Sequence, residues 1–153
     1  PADEITWDHW KNTLGVNLDG TFSMLYAVKD EMIERRYGRI VTVSSIAGLR
    51  ERENQLPYST SKAGVIALTR CAAQAWGRHN IRINCLCPGL TETEMAFTLS
   101  PEAHAEIISA TPLGRIGQPA EVAAVAKFLL SDQSSYMTGQ TVVSSGGRVM
   151  LPG

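Results

Sequence analysis

The sequence lacks the features by which several classes of protein are recognised. Its three cysteines are an odd number, which argues against a disulfide framework. No apolar run reaches the roughly 18 residues of a membrane-spanning helix, and the opening stretch, PADEITWDHW, has neither the basic nor the apolar part of a secretory signal. The formal net charge of −1 gives no electrostatic reason to expect nucleic acid or an anionic membrane as partner. We therefore predict a soluble, cytoplasmic protein without nucleic-acid or membrane partners.

The sequence also lacks a pattern of metal ligands. Cys85 and Cys87 would share one face of a strand, but the three histidines are dispersed and no second close pair of ligands accompanies them. We expect the cysteines to be reduced, buried thiols, and we predict no metal site.

Two hydrophobic periodicities alternate along the chain. From about Thr6 to Arg36, apolar residues recur at steps of three, four and seven, which predicts one helix that Gly38 ends. Gly15 and Gly20 lie inside this helix, where each glycine costs about 1 kcal/mol relative to alanine. They indicate a close packing partner or a local distortion near Asn17.

Short apolar runs predict strands, and helical patterns separate them. The strands are RIVTVSS at residues 39–45, a run from about Ile81 to Leu86, and GQTVVSS at residues 139–145. The later helices run from Pro57 to about His79, from Pro101 to Ser109, and onward from Pro119. Strands that alternate with helices form a parallel sheet with helices on both faces. The pattern thus predicts an α/β fold whose thin sheet leaves one apolar edge open to more strands or another subunit.

A tyrosine and a lysine four residues apart follow the first predicted strand. On a helix, Tyr58 and Lys62 lie on one face, one turn apart, so both side chains can point into the same space. A phenol has an ordinary pKa of about 10, and a nearby ammonium group lowers it. Such a pair suits general acid–base catalysis on a carbonyl or alcohol oxygen. Taken alone, the same spacing also fits a half-buried tyrosine and a solvated lysine.

Two serines close the first predicted strand, at the edge where open α/β sheets place their ligands. A hydroxyl group at Ser44 or Ser45 could hold the same substrate oxygen as the tyrosine. Adjacent strand residues point to opposite faces, so only one of the two can reach the substrate.

Six motifs, taken together in their order and spacing, resemble one family. They are GVNLDGTF, GRIVTVSSIAG, YSTSKAG, IRINCLCPGLTETEM, GRIGQPAEVAAVAKFLLSD and MTGQTVVSSGG. They are similar to motifs of the short-chain dehydrogenases/reductases, in the branch that contains the 3-oxoacyl-carrier-protein reductases. The resemblance extends from about Trp7 to Met150 and corresponds to the second half of a family member. It implies hydride transfer between a nicotinamide and a carbonyl or alcohol carbon.

The resemblance implies a catalytic tetrad. Tyr58 would be the general acid and base, and Lys62 would lower its pKa and hold the nicotinamide ribose hydroxyls, so both would also face the cofactor. Ser45, rather than Ser44, would bind the substrate oxygen. Asn17 would hold a water that links Lys62 to solvent, from a distorted point in the first helix.

The resemblance also implies NAD or NADP as cofactor. The residues that would wrap the nicotinamide are Pro88, Gly89, Thr91 and Thr93. Thr93 would donate toward the carboxamide. The loop from about Glu94 to Pro112 would be a mobile lid over the substrate, within a substrate-loop region of residues 89–118.

The sequence departs from the family in what precedes these motifs. Family members begin with a strand, a G-x-x-x-G-x-G turn that receives the pyrophosphate at a helix N-terminus, and a later N-A-G segment, none of which occurs here. We therefore expect residues 1–153 to form a single partial domain. It would be a partial Rossmann-type three-layer fold that lacks the N-terminal dinucleotide-fingerprint half and is inactive alone. A second departure is Ser145, where members commonly carry aspartate.

Two functional hypotheses follow. The first is an NAD(P)-dependent oxidoreductase for a small carbonyl or alcohol substrate, working as a homodimer or homotetramer. The resemblance implies such oligomers because two long helices match those that pack as four-helix dimer interfaces in the family. The alternative is a non-catalytic truncated remnant that acts as an oligomerisation or interaction module. The charged stretch Leu49–Gln55 would lie at the pocket mouth, where it either favours a polar or anionic substrate or is simply a solvated loop.

Overall fold

A three-stranded parallel sheet lies between layers of helices in the computed structural model of this chain, which describes residues 2–50 and 53–151. The strands are β1 (Gly38–Val43), β2 (Ile81–Pro88) and β3 (Thr141–Ser144), and their order in the sheet is β1-β2-β3. Both neighbouring pairs are parallel. The predicted α/β fold, a partial Rossmann-type sheet flanked by helices, is confirmed.

The register of the strands brings their carboxyl ends to one edge of the sheet. Val43 lies opposite Leu86, and Pro88 lies opposite Ser144. β2 is the central strand, and its first seven residues are all buried. This burial agrees with the near-continuous apolar sequence that parallel strands show when helices cover both faces.

The described residues form six α-helices. They are α1 (Trp7–Leu14), α2 (Gly20–Glu34), α3 (Leu56–Trp76), α4 (Glu94–Phe97), α5 (Pro101–Ser109) and α6 (Pro119–Leu130). Side chains cap three of them, since Thr6 accepts the His9 amide at α1, Ser100 accepts the Ala103 amide at α5 and Glu121 accepts the Gln118 amide at α6. The predicted positions of α5 and the start of α6 are confirmed. In the part of the chain described, none of the helices has the length and apolar character needed to cross a membrane.

The first predicted helix is interrupted and ends earlier than its sequence pattern suggests. A π-helical segment, Gly15–Asp19, separates α1 from α2 and is the local distortion that the two glycines indicated. The prediction that Gly38 ends this helix was wrong. α2 ends at Glu34 and Arg36 takes a left-handed conformation with φ of 52°, so the chain has already turned when Gly38 begins β1.

The core lies between the sheet and the helices on each side. The buried residues of the α2–α3 side are Leu25, Val65, Ile66, Ala72, Ala73, Ile81, Ile83, Cys85 and Cys87. On the other face of β2, the buried Arg82 donates hydrogen bonds to the carbonyls of Leu129, Ser131 and Ser134 at and beyond the end of α6. These bonds fasten α6 to the face of the sheet opposite α3.

The three cysteines are free. Cys85 and Cys87 are buried as predicted, whereas Cys71 is exposed on α3, which corrects the expectation of burial for that residue. Cys71 faces outward because its position on α3 is turned away from β2, where Ala72 and Ala73 pack. In residues 2–50 and 53–151, no group of three or more His, Cys, Asp or Glu side chains is placed to hold a metal ion.

β1 forms one edge of the sheet. Within the described residues, β2 is its only strand partner. An apolar groove of about 560 Å³ runs along this edge between α2 and β1, and its lining includes Val16, Met24, Val28 and Val43. Met24 and Val43 are 69% and 54% exposed. The open apolar edge predicted from the sequence is therefore present, and such an edge is a pairing site for a further strand.

Candidate active site

A cavity of about 440 Å³ opens at the carboxyl ends of β1 and β2. The hydroxyl groups in its lining belong to Ser45, Tyr58, Thr91 and Thr93. Ligands of open α/β sheets bind at this edge, and the volume falls within the roughly 300–1,000 Å³ of small-molecule pockets. The cavity is therefore the candidate active site.

Tyr58 and Lys62 lie together in the first turns of α3, as their spacing predicted. The Lys62 ammonium nitrogen is 5.8 Å from the centroid of the Tyr58 ring. It donates a hydrogen bond to the Val43 carbonyl oxygen at 3.2 Å, which holds it at the end of β1. Partial burial lowers the pKa of Lys62, because the charged ammonium form loses contact with water.

The two serines after β1 point in different directions. Ser45 has an extended backbone and lines the cavity, where its hydroxyl oxygen accepts a hydrogen bond from the Ala47 amide at 3.1 Å. Ser44 is buried, and its hydroxyl donates to the Lys62 carbonyl oxygen at 2.7 Å. Ser45 therefore faces the same space as Tyr58, while Ser44 fixes α3 to the end of β1.

Gly48 allows the chain after Ser45 to pass close to α3. A Cβ atom at this position would lie 2.7 Å from the carbonyl carbon of Lys62, which is too close for any side chain without a shift of backbone. The sequence pattern gives no sign of this requirement, because the contact exists only in the folded chain.

Asn17 reaches α3 through the hydroxyl group of Ser61. Asn17 Nδ2 donates to Ser61 Oγ at 3.1 Å, and Ser61 Oγ donates to the Tyr58 carbonyl oxygen at 2.7 Å. Ser61 is fully buried. The Asn17 carbonyl, in the π-helical segment, accepts a hydrogen bond from Thr21 Oγ1 on α2. Such π-helical segments are often found at functional sites. Asn17 is thus tied to the helix of Tyr58 and Lys62 rather than placed in the cavity wall.

Replacing Ser61 by alanine is expected to lower kcat about tenfold and the free energy of unfolding by about 1–2 kcal/mol, because it removes two buried hydrogen bonds. Ser59→Ala on the same helix is the matched control, since the Ser59 hydroxyl has no hydrogen-bond partner in the described structure. Steady-state kinetics and urea unfolding of the two variants measure both quantities. Equal effects of the two substitutions would contradict a positioning role for Ser61.

The residues that follow β2 approach the end of β3 closely. The Gly89 amide donates to the Ser144 carbonyl oxygen at 2.8 Å. A Cβ atom at Gly89 would lie 2.9 Å from the Cα atom of Ser145, so this crossing requires glycine. Pro88 is the last residue of β2 and does not belong to the cavity lining, whereas Gly89, which follows it, does.

Thr91 and Thr93 extend the same wall of the cavity. Thr91 forms a parallel bridge with Gly117, which anchors the loop after β2 to the segment before α6. The Thr91 hydroxyl donates to the Gly89 carbonyl oxygen at 3.2 Å, and the Thr93 hydroxyl donates to the Thr91 carbonyl oxygen at 3.3 Å. The structure therefore brings Gly89, Thr91 and Thr93 to the cavity together with Ser45 and Tyr58.

The segment 94–112 contributes α5 to one side of the cavity. Ile107, on α5, belongs to the cavity lining. Arg148, which follows the turn after β3, also lines the cavity and donates from Nη1 to the Ile107 carbonyl oxygen at 2.8 Å. The only sequence signal for Arg148 is the glycine pair before it, which predicts a turn but not its direction.

The charged stretch Leu49–Gln55 is described only in part. Gln55 lines the cavity, in agreement with the predicted place of this stretch at the pocket mouth. Glu51 and Arg52 lie outside the described residues. The expected influence of this stretch on substrate charge therefore stays a prediction.

The fold and the cavity together define a Rossmann-type α/β protein with a ligand site at the carboxyl edge of its sheet. A family model described as Enoyl-(Acyl carrier protein) reductase matches residues 1–148. The chain belongs to the short-chain dehydrogenase/reductase family.

Relatives and solved structures agree on this family. The 3-oxoacyl-[acyl-carrier-protein] reductase FabG of Thermotoga maritima is 43% identical over 143 residues, which cover 94% of this chain and 58% of that protein. A 3-oxoacyl-[acyl-carrier protein] reductase from Brucella melitensis, with bound NAD, has a TM-score of 0.88 and 41% identity, covering 94% of this chain and 53% of that one. A gluconate 5-dehydrogenase from Burkholderia cenocepacia, in complex with NADP and tartrate, has a TM-score of 0.93 and 35% identity, covering 97% and 59%. The chain spans little more than half the length of these relatives.

Proposed function

We propose that this chain is the catalytic and nicotinamide-binding part of an NAD(P)-dependent oxidoreductase that interconverts a carbonyl group and an alcohol. The proposal rests on one observation above all: Ser45 and Tyr58 share a cavity, and Lys62 lies beside the tyrosine ring. The bound NAD and NADP of the two solved relatives support a nicotinamide cofactor here.

In this proposal Tyr58 and Ser45 both act on the oxygen of the reacting carbonyl or alcohol. A bound nicotinamide supplies a hydride to the carbonyl carbon in reduction and accepts it in oxidation. Tyr58 donates its phenolic proton to the oxygen as the carbonyl becomes an alcohol, and it takes the proton back in the reverse direction. Ser45 donates a hydrogen bond to the same oxygen and so orients the reacting carbon.

Lys62 and Asn17 support the proton transfer in this proposal. The ammonium group of Lys62 stabilises the phenolate form of Tyr58 and also holds the ribose hydroxyls of the cofactor. Asn17 holds a water that links Lys62 to solvent. The Asn17–Ser61 hydrogen bond supports this role, because it fixes Asn17 relative to the helix that bears Lys62.

The other wall of the cavity fits a nicotinamide ring. The hydroxyls of Thr91 and Thr93 line this wall together with the Gly89 backbone, and in our proposal Thr93 donates toward the carboxamide. In the same proposal Pro88 and Gly89 complete the set of residues that wrap the nicotinamide. The lid, residues 94–112 of the substrate-loop region 89–118, closes over a small carbonyl or alcohol substrate.

Residues 1–153 alone are expected to bind NADH and NADPH with a Kd weaker than about 1 mM. The chain contains no G-x-x-x-G-x-G turn, so its sequence offers no glycine-rich cradle for the pyrophosphate. Titration followed by the fluorescence of the reduced nicotinamide measures this Kd. The control is a chimera in which residues 1–153 replace the matching part of the Thermotoga maritima relative, and it is expected to bind in the micromolar range. Micromolar binding to residues 1–153 alone would contradict the proposal that the cofactor site is half complete.

An exposed aromatic face supports the proposal of a homodimer or homotetramer. Phe22 and Tyr26 on α2 are 43% and 51% exposed, and they line a groove of about 210 Å³ with Leu68 and Trp76 of α3. Two copies that pair these helices would cover the face as a four-helix bundle. The cytoplasmic location expected from the sequence stays a prediction that cell fractionation tests.

The second candidate is a non-catalytic remnant that acts as an oligomerisation or interaction module. The observation in its favour is the exposed apolar edge along β1, which offers a partner a ready surface. Turnover that Tyr58→Phe abolishes would favour the oxidoreductase over the interaction module, because an interaction module does not require the phenol.

A further inference from the structure

Two consecutive residues at the end of β1 hold Lys62 at its two ends. The Ser44 hydroxyl donates a hydrogen bond to the Lys62 backbone carbonyl oxygen at 2.7 Å. The Lys62 ammonium nitrogen donates to the Val43 carbonyl oxygen at 3.2 Å. The lysine is therefore attached through its backbone and through its side chain to neighbouring residues of the sheet, with its ammonium group beside the Tyr58 ring.

Ser44 is itself fixed in the sheet. It is only 4% exposed, and its amide donates to the Leu86 carbonyl oxygen at 2.8 Å, so it extends the pairing of β1 with β2 by one residue. A carbonyl oxygen has two lone pairs, so the Lys62 carbonyl can accept the serine hydroxyl in addition to the hydrogen bond of its own helix. The Ser44 hydroxyl thus links a rigid point of the sheet to the turn of α3 that bears the lysine.

The backbone at Gly48 contacts the same turn of α3. A Cβ atom at Gly48 would lie 2.7 Å from the Lys62 carbonyl carbon and 2.8 Å from the Ala63 amide nitrogen. This contact limits how closely α3 approaches the segment after β1, and the Ser44 hydrogen bond opposes their separation. The position of the Lys62 backbone is therefore set from both directions.

We propose that Ser44 is a positioning residue, whose hydrogen bond to the Lys62 carbonyl fixes the place from which the ammonium group binds the ribose hydroxyls of the cofactor. This inference rests on the proposed function, in which Lys62 holds those hydroxyls. Among the described residues, Ser44 does not belong to the cavity lining, so it acts through Lys62 rather than by touching a ligand. Its effect is large enough to measure because hydrogen bonds weaken steeply when distance and angle depart from the optimum.

Cofactor binding measured without turnover tests this proposal. In the protein that contains this chain, Ser44→Ala, Lys62→Met and the double variant are titrated with NADH and with NADPH, followed by the fluorescence of the reduced nicotinamide. Lys62→Met is expected to weaken binding of the preferred cofactor about tenfold and Ser44→Ala about fivefold, the effects of one hydrogen bond with and without a charge. The double variant is expected to bind as weakly as Lys62→Met alone, because residues that act through one contact are not additive.

Thr42→Val is the matched control, because Thr42 also joins β1 to α3 through a buried hydroxyl group. Thr42 Oγ1 lies 2.6 Å from Thr69 Oγ1, two helical turns beyond Lys62. Ser44→Ala and Thr42→Val are both expected to lower the thermal unfolding midpoint by about 2–4 °C, since each removes one buried hydrogen bond between the same two elements. Thr42→Val is expected to leave the Kd of the cofactor unchanged.

The proposal is overturned if Ser44→Ala leaves the Kd unchanged, or if it weakens binding by the same factor in the presence and absence of the Lys62 side chain. It is also overturned if Thr42→Val weakens binding as much as Ser44→Ala does, which is the result of a purely structural role. Failure of the proposed function is distinguishable. In that case the protein with both residues intact would bind neither NADH nor NADPH, or would bind them equally well after Lys62→Met.

Discussion

Replacing Tyr58 by phenylalanine is expected to lower kcat about a thousandfold without loss of the fold. The substitution removes the proton donor and acceptor of the reaction, and general acid–base catalysis contributes about 10²–10⁴-fold. The ring still packs at the start of α3, so circular dichroism and the thermal unfolding midpoint are expected to change little. Steady-state rates in both directions provide the measurement.

Tyr136→Phe is the control for this substitution, because Tyr136 is fully exposed and makes no part of the cavity lining among the described residues. It is expected to retain full activity. If Tyr58→Phe also retained activity, or if the protein with Tyr58 intact turned over no carbonyl substrate, the chain would be better described as an interaction module.

Replacing Lys62 by methionine is expected to lower kcat near neutral pH about a hundredfold and to raise the KM for the cofactor. The substitution removes the ammonium group that lies 5.8 Å from the Tyr58 ring centroid. In our proposal this group supports the proton transfer and also holds the ribose hydroxyls of the cofactor. Steady-state kinetics with the cofactor concentration varied measure both constants.

Lys127→Met on α6 is the matched control, because Lys127 is exposed and does not belong to the cavity lining. It is expected to leave both kcat and the KM for the cofactor unchanged. A rise in the KM of Lys62→Met without a loss of kcat would show that Lys62 holds the cofactor without supporting the proton transfer.

Periodicity was sufficient to predict the three strands and the helices α3, α5 and α6, whereas α1 and α2 were predicted as one helix and α4 was not predicted. The strands are short apolar runs bounded by glycine, proline or serine, and the helices repeat their apolar residues every three or four positions, so both patterns are local. Gly15 and Gly20 indicated a close packing partner or a local distortion, and the structure has a distortion there, the π-helical segment. The end of α2 was not predictable in the same way, because the left-handed turn at Arg36 occurs at a residue type that seldom adopts it.

From the sequence, the candidate site could be predicted only where its residues lie close together in the chain. The pairing of Tyr58 with Lys62 follows from one helical turn, and the structure brings both to the end of β1. The hydrogen bonds of Ser61 with Asn17 and of Arg148 with Ile107 join residues that are 44 and 41 positions apart in the chain. A local sequence pattern does not predict such contacts, so the positions of these residues could be recognised only in the folded structure.

Transfer of an isotopic label tests the central claim most directly. The protein that contains this chain is mixed with NADH or NADPH that carries deuterium at the reactive carbon of the nicotinamide, together with a small ketone substrate. The account predicts that deuterium appears at the carbinol carbon of the product, in an amount equal to the nicotinamide oxidised, and that Tyr58→Phe suppresses the transfer. Bound and ordered cofactor without any label in the product, across ketones that bind the cavity, would contradict it.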